Sequence, residues 1–400
     1  MTHPAATAAP PQRVLLRFAP AVLIIFFGYL TIGMPLAALP LQVHDRLGFG
    51  TVTIGVTIGV QSLVTLMTRQ LAGSLCDRSG AKRAVLLGGG CSVLAGLLYL
   101  LSTVAPIGGG AALGAILVAR VILGIGESLF MTGSLAWAVG TVGPQNTGKV
   151  MVWVGIGMYG AVAVGAPFGI WLMTNAGGFI AVGLGTIIFS LLATLVGVLI
   201  APVAPHGGER LPFIKVAARI APFGAGLTLA TLGFGAIAAF AALDFQSKGW
   251  PGAGLALAGF GCAYIITRII FGHWPDRFGG ARIALISLVI EACGQILLWL
   301  APMPGIALAG AIMTGAGFSL VFPSFGIEAV KQVSPANRGS ALGAYAAFFD
   351  LGFALAGPVT GLVAGAFGYP AVFAAGALSA AFALLPALRS AGKREIAVNG

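Results

Sequence analysis

TRQLAGSLCDRSGAKR at residues 68–83 and TRIIFGHWPDRFGGAR at residues 267–282 agree at seven of sixteen positions, at a constant offset of 199. Each follows an uncharged apolar run and ends in basic residues. Self-similarity over this distance marks a duplicated unit. Two further matches support it. Val142, Pro144, Asn146 and Gly148 pair with Val333, Pro335, Asn337 and Gly339. Gly160 and Gly165 pair with Gly352 and Gly357, with Pro167 and Pro358 close by. The stretch PVAPHGGERLPFIKVAAR at 202–219 lies between the copies. The chain therefore divides into an N-terminal unit at 1–201, a linker at 202–219 and a C-terminal unit at 220–400.

Composition says where such a chain lives. Of 400 residues, 58% are apolar and only 8% are Asp, Glu, Lys or Arg. Soluble domains carry roughly 25% charged residues. Too few charges are present to cover a water-exposed surface, so the chain is a polytopic membrane protein. The 62 glycines agree, because glycine lets membrane helices approach closely.

Crossing about 30 Å of hydrocarbon takes about 20 apolar residues. Twelve stretches qualify: 18–43, 50–75, 84–105, 111–139, 150–174, 179–200, 220–243, 252–271, 283–300, 305–330, 341–366 and 371–388. Arg13 and Arg17 precede the first, which is too long for a cleaved leader and has no clear small-residue cleavage site. With the N-terminus in the cytoplasm, Arg78, Lys82, Arg83, Lys149, Arg219, Arg277, Arg282, Lys331 and Arg389 all face inward. Only Arg46 and Lys248 face outward. The positive-inside rule selects this orientation, with both termini cytoplasmic in the cell inner membrane. It also explains the net charge of +11 without any nucleic-acid partner.

These residues resemble the major facilitator superfamily. Gly73, Leu75, Asp77, Arg78, Gly80 and Lys82 are similar to its signature between the second and third helices, with Ala81 at a usually basic position. Arg120, Gly124 and Gly126 resemble the fourth-helix signature, and Gly165, Pro167 and Gly169 the fifth-helix signature common among antiporters. Within that superfamily the chain is similar to the YhhS/YfcJ-type bacterial branch, through RVILGIGES at 120–128, SKGWP at 247–251 and DRFGG at 276–280. The resemblance implies an all-α fold, a polytopic membrane protein of twelve helices in two pseudo-symmetric six-helix bundles. It also implies a monomer in the lipid bilayer, alternating access, and a central cavity lined by the first and fourth helices.

The repeated loops suggest a cytoplasmic gate. Asp77, beyond the second helix, would face the positive N-terminal end of the eleventh near 339–341, and Asp276 that of the fifth near Gly148. A carboxylate at a helix N-terminus is favourable by about 0.3–1 kcal/mol. Arg78, Lys82, Arg277 and the glycines Gly73, Gly80, Gly272 and Gly279 complete this motif. The solvated-loop alternative stays open. Gly160, Gly165, Pro167, Gly357 and Pro358 would thin or bend two helices where the halves meet.

Ionisable residues deep in a membrane are costly and mark function by default. Arg120 and Glu127 lie seven residues apart on one face of the fourth helix. Arg120 would hold an anionic or hydroxylated substrate or partner a carboxylate, and Glu127 is the best-placed proton carrier. Asp350 is the counterpart in the C-terminal half. Tyr29 is a substrate-contact candidate on the first helix. Glu291, Glu328, Gln61 and Tyr159 are weaker candidates, each with a structural explanation.

Several patterns carry no chemistry. GPQNTGK at 143–149 is continued by Val150 and follows no strand, so it is not a nucleotide loop. The four histidines and four cysteines show no spacing for a metal, a triad or a disulfide framework. No cofactor or metal is expected, and no enzyme activity. The expectation is a secondary transporter exporting a drug-like or sugar-like molecule in exchange for protons. Proton-coupled uptake and a non-transporting sensor are the alternatives.

Overall fold

The computed structural model describes residues 11–104, 108–143, 147–203, 213–333 and 338–399. The described residues form helices throughout. The first unit holds α1 (Pro11–Leu41), α2 (Thr51–Ser79), α3 (Ala81–Val104), α4 (Gly109–Val142), α5 (Thr147–Asn175) and α6 (Phe179–Leu199). The second holds α7 (Phe213–Ser247), α8 (Leu255–Phe271), the short α9 (Trp274–Phe278), α10 (Gly280–Leu300), α11 (Pro304–Val330), α12 (Arg338–Phe367) and α13 (Ala371–Asn399). Helices are the natural spanning element because each satisfies its own backbone groups without water. Leu184, Ile188, Leu191 and Leu195 on α6, and Leu378, Phe382 and Leu385 on α13, stand about half exposed on the outer surface. Such an apolar exterior suits lipid.

Among the described residues, eleven helices are long and apolar enough to cross a membrane. The twelfth expected span differs. Instead of starting at Gly252, α8 starts at Leu255, because Gly252 turns the chain at φ +80°. Its 17 residues reach about 26 Å. The loop after it, expected to be irregular, contains α9. Other boundaries move outward. A π-helical turn at Gln42–Arg46 prolongs α1. α7 begins inside the expected linker, and α13 runs on into the expected tail. Basic residues such as Lys215 and Arg219 mark a charge boundary, but their long stems let a helix continue past it.

Within the first bundle α1 packs on α4, α5 and α6, and α3 on α4 and α6. In the second, α10 packs on α11 and α13, and α7 on α11, α12 and α13. One apolar core lies within the first bundle, and a second fills the C-terminal bundle and continues across to Leu36, Ile58 and Val162 of the first. The bundles meet along two main seams, α2 against α12 and α5 against α8, and α1 also touches α7. Glycines make the first seam. A Cβ on Gly55 would overlap the carbonyl oxygen of Gly357, and one on Gly59 would lie 2.6 Å from the Ala354 oxygen. In the second seam, Gly254 and Gly261 sit against Pro167 and Ala163.

The two ends of the molecule are unlike. One carries Arg78, Lys82, Arg277 and Arg282 and is called the basic end below. At the opposite end the bundles are bonded together, by Gln246 Nε2 donating to Asp45 Oδ2 at 2.9 Å and by Tyr369 with His44 at 3.4 Å.

Candidate functional site

α2 presents Gln61, Thr65 and Arg69 at intervals of four, so all three lie on one helical face. That face looks towards α4 and, across the seam, α12. Glu127, on α4, is half-buried there. It accepts hydrogen bonds from the Tyr29 hydroxyl at 3.0 Å, from Gln61 Nε2 at 2.8 Å and from Thr65 Oγ1 at 2.9 Å. Three neutral donors from two helices thus hold one carboxyl group. Among the described residues no cation bonds to it.

One helical turn further along α2, Arg69 crosses to the other bundle. Its Nε and Nη2 both reach Asp350 Oδ2 on α12 at 2.6 Å. Tyr29, Glu127, Arg69 and Asp350 lie within electrostatic reach of one another. Two acids, one from each half, therefore share a neighbourhood that spans the seam. The sequence points to Tyr29, Glu127 and Asp350. It ranks Gln61 as weak and assigns Arg69 no role. A signal for Arg69 was present, because it is one of the seven identities in the repeat.

Arg120 is placed differently from the expectation. Its side chain is buried, and its Nε and Nη2 donate to the backbone oxygens of Thr57 and Ile58 at 3.0 and 3.1 Å. The guanidinium clamps α4 to α2 and does not reach Glu127. Spacing puts both residues on one face of α4, but helix geometry leaves about 10 Å between them along the axis.

The gate residues sort into several groups. Asp77 falls within the last turn of α2, and its side chain lies outside the described residues, as does the loop before α5. Asp276 is exposed on α9. Lys82 works inside its own bundle. Its Nζ donates to the oxygens of Val198 and Ile200 at 2.6 and 2.8 Å, capping the C-terminal end of α6. Gly80 and Gly279 take the same left-handed turn, at φ +87° and +92°, which side chains resist. Arg78 and Arg277 are exposed, and Gly73 and Gly272 are half-buried.

The interface glycines divide as well. Gly357 and Pro358 face Gly55 and Gly59 across the seam, and Pro167 meets Gly254. Gly165 instead packs on Gly33 and Met34 of α1, inside its own bundle. Gly160 lies between Phe26 of α1 and Ile265 of α8.

Two further acids pair within their own helix or its end, and a third does not. Asp244 pairs with Lys248 at 2.9 Å, and Glu328 with Lys331 at 2.7 Å. Glu291 is fully enclosed in α10 beside Gly233, and neither carboxyl oxygen has a hydrogen-bond partner among the described residues.

The corresponding place in the second bundle is filled with rings. Tyr159 of α5 stacks on Tyr264 of α8, with centroids 3.6 Å apart. Phe234, Phe260 and Phe318 surround this stack. Arg268, one turn from Tyr264, donates Nη2 to the Tyr264 hydroxyl.

Comparison with known proteins agrees with this architecture. An uncharacterized MFS-type transporter of Burkholderia mallei (strain SAVP1) is 42% identical over 387 residues, covering 95% of this chain and 94% of its own. One from Pseudomonas aeruginosa (strain LESB58) is 43% identical over 374 residues, covering 92% of each. The crystal structure of a D-xylose–proton symporter superposes with a TM-score of 0.74 at 15% identity, over 92% of this chain and 96% of that one. That of the nucleoside transporter NupG superposes with a TM-score of 0.69 at 17% identity, over 93% and 97%. At these identities the two structures speak for the fold alone. The profile of the Major Facilitator Superfamily matches residues 21–251 and 220–397, so nearly the whole chain is covered. The chain belongs to the major facilitator superfamily, as a multi-pass secondary transporter and not an enzyme.

Proposed function

We propose that this transporter couples proton movement to the export of a small, drug-like or sugar-like molecule, with Glu127 as the proton carrier. The observation that carries this reading is the bonding of Glu127. Its carboxyl group is half-buried, held by Tyr29, Gln61 and Thr65, and free of any cation among the described residues. A carboxyl group with only neutral partners gains or loses a proton without breaking an ion pair. Asp350 is the second coupling element, because its bond to Arg69 joins the halves and must break when they part.

The basic end faces the cytoplasm, on the positive-inside argument, with both termini on the cytoplasmic side of the inner membrane. The bonded seams at the opposite end then close the outer face. The loops with Asp77 and Asp276 would form the cytoplasmic gate in the alternate state. Export is favoured by the fifth-helix pattern around Pro167, and the branch of the family is the YhhS/YfcJ type. Arg120 is assigned to holding α2 against α4. The working unit is a monomer.

Purified protein in proteoliposomes containing a pH-sensitive dye tests the reading. Sugars, organic acids and cationic drugs are added in turn under an imposed pH gradient. Substrate-triggered proton flux that disappears in E127Q supports it. Proton flux parallel to the substrate would make the protein a symporter. Substrate flux that ignores the pH gradient would make it a uniporter, and binding without flux a sensor.

A further inference from the structure

The two halves carry different chemistry at equivalent positions of the repeat. At the offset of 199 that relates the repeats, Gln61, Thr65 and Arg69 of α2 correspond to Phe260, Tyr264 and Arg268 of α8. At an offset of 191, Gly124, Gly126 and Glu127 of α4 correspond to Gly315, Gly317 and Phe318 of α11. The fold respects this correspondence. A Cβ on Gly124 would press on the Gln61 oxygen, and one on Gly315 would press on the Phe260 oxygen. So the three polar positions Gln61, Thr65 and Glu127 become Phe260, Tyr264 and Phe318. The hydrogen-bonded acid of one half is replaced by an aromatic box in the other.

The arginine alone is kept, and only one copy has an acid. Arg69 pairs with Asp350. At the offset of 192 that matches Gly160 to Gly352, the position equivalent to Asp350 is Met158. Arg268 is 8% exposed, its Nε has no partner among the described residues, and Nη2 meets only the neutral Tyr264 hydroxyl. A buried guanidinium without a counter-charge is costly. Arg120 offsets that cost with two backbone oxygens, whereas Arg268 has one neutral hydroxyl and room on its other nitrogens for an anion.

We propose that Arg268 with Phe260, Tyr264 and Phe318 is the cargo site, and that its cargo is an organic anion, a carboxylate on a planar apolar body. The carboxylate takes the place that Asp350 fills for Arg69, accepting from the free guanidinium nitrogens. The planar body takes the place of the Tyr159 ring on Tyr264. In this conformation Tyr159, from the other half, covers that face. It withdraws when the α5–α8 seam opens. The halves thus divide the work, with cargo on the second and the proton on the first. This rests on the proton-coupled reading above only for the second part of that division.

Binding of naphthoate to the purified wild-type protein in nanodiscs, by isothermal titration, tests the site. Naphthylmethanol and naphthylmethylammonium are the neutral and cationic comparisons. We expect naphthoate to bind at least tenfold tighter than either. R268Q should remove that preference, and R268K should restore part of it. M158D supplies the acid that the second pair lacks, and should abolish naphthoate binding without lowering the melting temperature. Equal affinity for all three compounds, or preference for the cation, overturns the proposal. So does naphthoate binding that R268Q and M158D both leave unchanged. If naphthoate binds through Arg268 but moves without protons, the coupling reading fails and the cargo site stands. If another compound drives Glu127-dependent proton flux while naphthoate does not bind, the cargo site fails and the coupling reading stands.

Discussion

Arg69 places two guanidinium nitrogens on a single oxygen of Asp350, both at 2.6 Å, and so ties α2 of one bundle to α12 of the other. The bond lies in the seam that the proposed alternating access would open. It belongs to this conformation more than to the protein as a whole.

A double-mutant cycle measures it. D350N leaves Arg69 without its counter-charge and should lower stability more than D350N combined with R69Q. The expected coupling is about 1–2 kcal/mol, less than for a fully enclosed pair, because the Arg69 side chain keeps 22% of its exposure. Melting curves of the four proteins in one detergent give the number. Additive losses would show that the pair does not hold the halves.

Gly55 and Gly357 bring two backbones into contact at the end opposite the basic one. A methyl group has no room there. G55A should disfavour this conformation by about 1–3 kcal/mol, as overpacking does. Because the seam parts in the alternate state, the population should move towards it. In a protein carrying T51C, labelling by a membrane-impermeant maleimide should rise when G55A is added. Unchanged labelling would mean that the seam yields without opening.

Lys82 should act on stability alone. K82M removes two charge-assisted bonds to the end of α6 and should cost about 1 kcal/mol. The measurement is the melting temperature beside the proton-flux assay. A gate role between the halves would instead change the flux and spare the melting temperature.

Arg120 separates in the same way. R120M withdraws the clamp on the Thr57 and Ile58 oxygens, and a loss of about 2 kcal/mol is expected for hydrogen bonds made by a charged group. A higher KM for transported substrate at an unchanged melting temperature would return Arg120 to the cargo site.

The fold was legible because its determinants are one-dimensional. Charge-free length, the placement of Lys and Arg, and a repeat at fixed offset all survive without knowledge of packing. Glu127, Asp350 and Tyr29 were legible for a related reason, since polar groups inside apolar runs stand out. Arg69 did not, because an arginine ten residues from a basic loop looks like one more topology charge. Its direction across the seam is set by where α12 lies, and no local pattern encodes that. Arg120 misled for the complementary reason. A buried arginine calls for a partner, but carbonyl oxygens carry no residue identity, and sequence cannot display them.

The length of α8 has a consequence for the membrane itself. At about 26 Å the helix is shorter than a typical hydrocarbon layer of about 30 Å. The rings of Phe271, Trp274 and Phe278 pack edge-to-face at and beyond its basic end, with Arg277 over Phe278, and such a group settles at the headgroup level. A helix too short for its bilayer thins the lipid around it or is drawn along its own axis. α8 carries Tyr264 and Arg268, so acyl-chain length pulls on the same element that closes against Tyr159. Transport in vesicles of graded acyl-chain length is therefore expected to change with bilayer thickness, and an unchanged rate would show that α8 is long enough for its membrane.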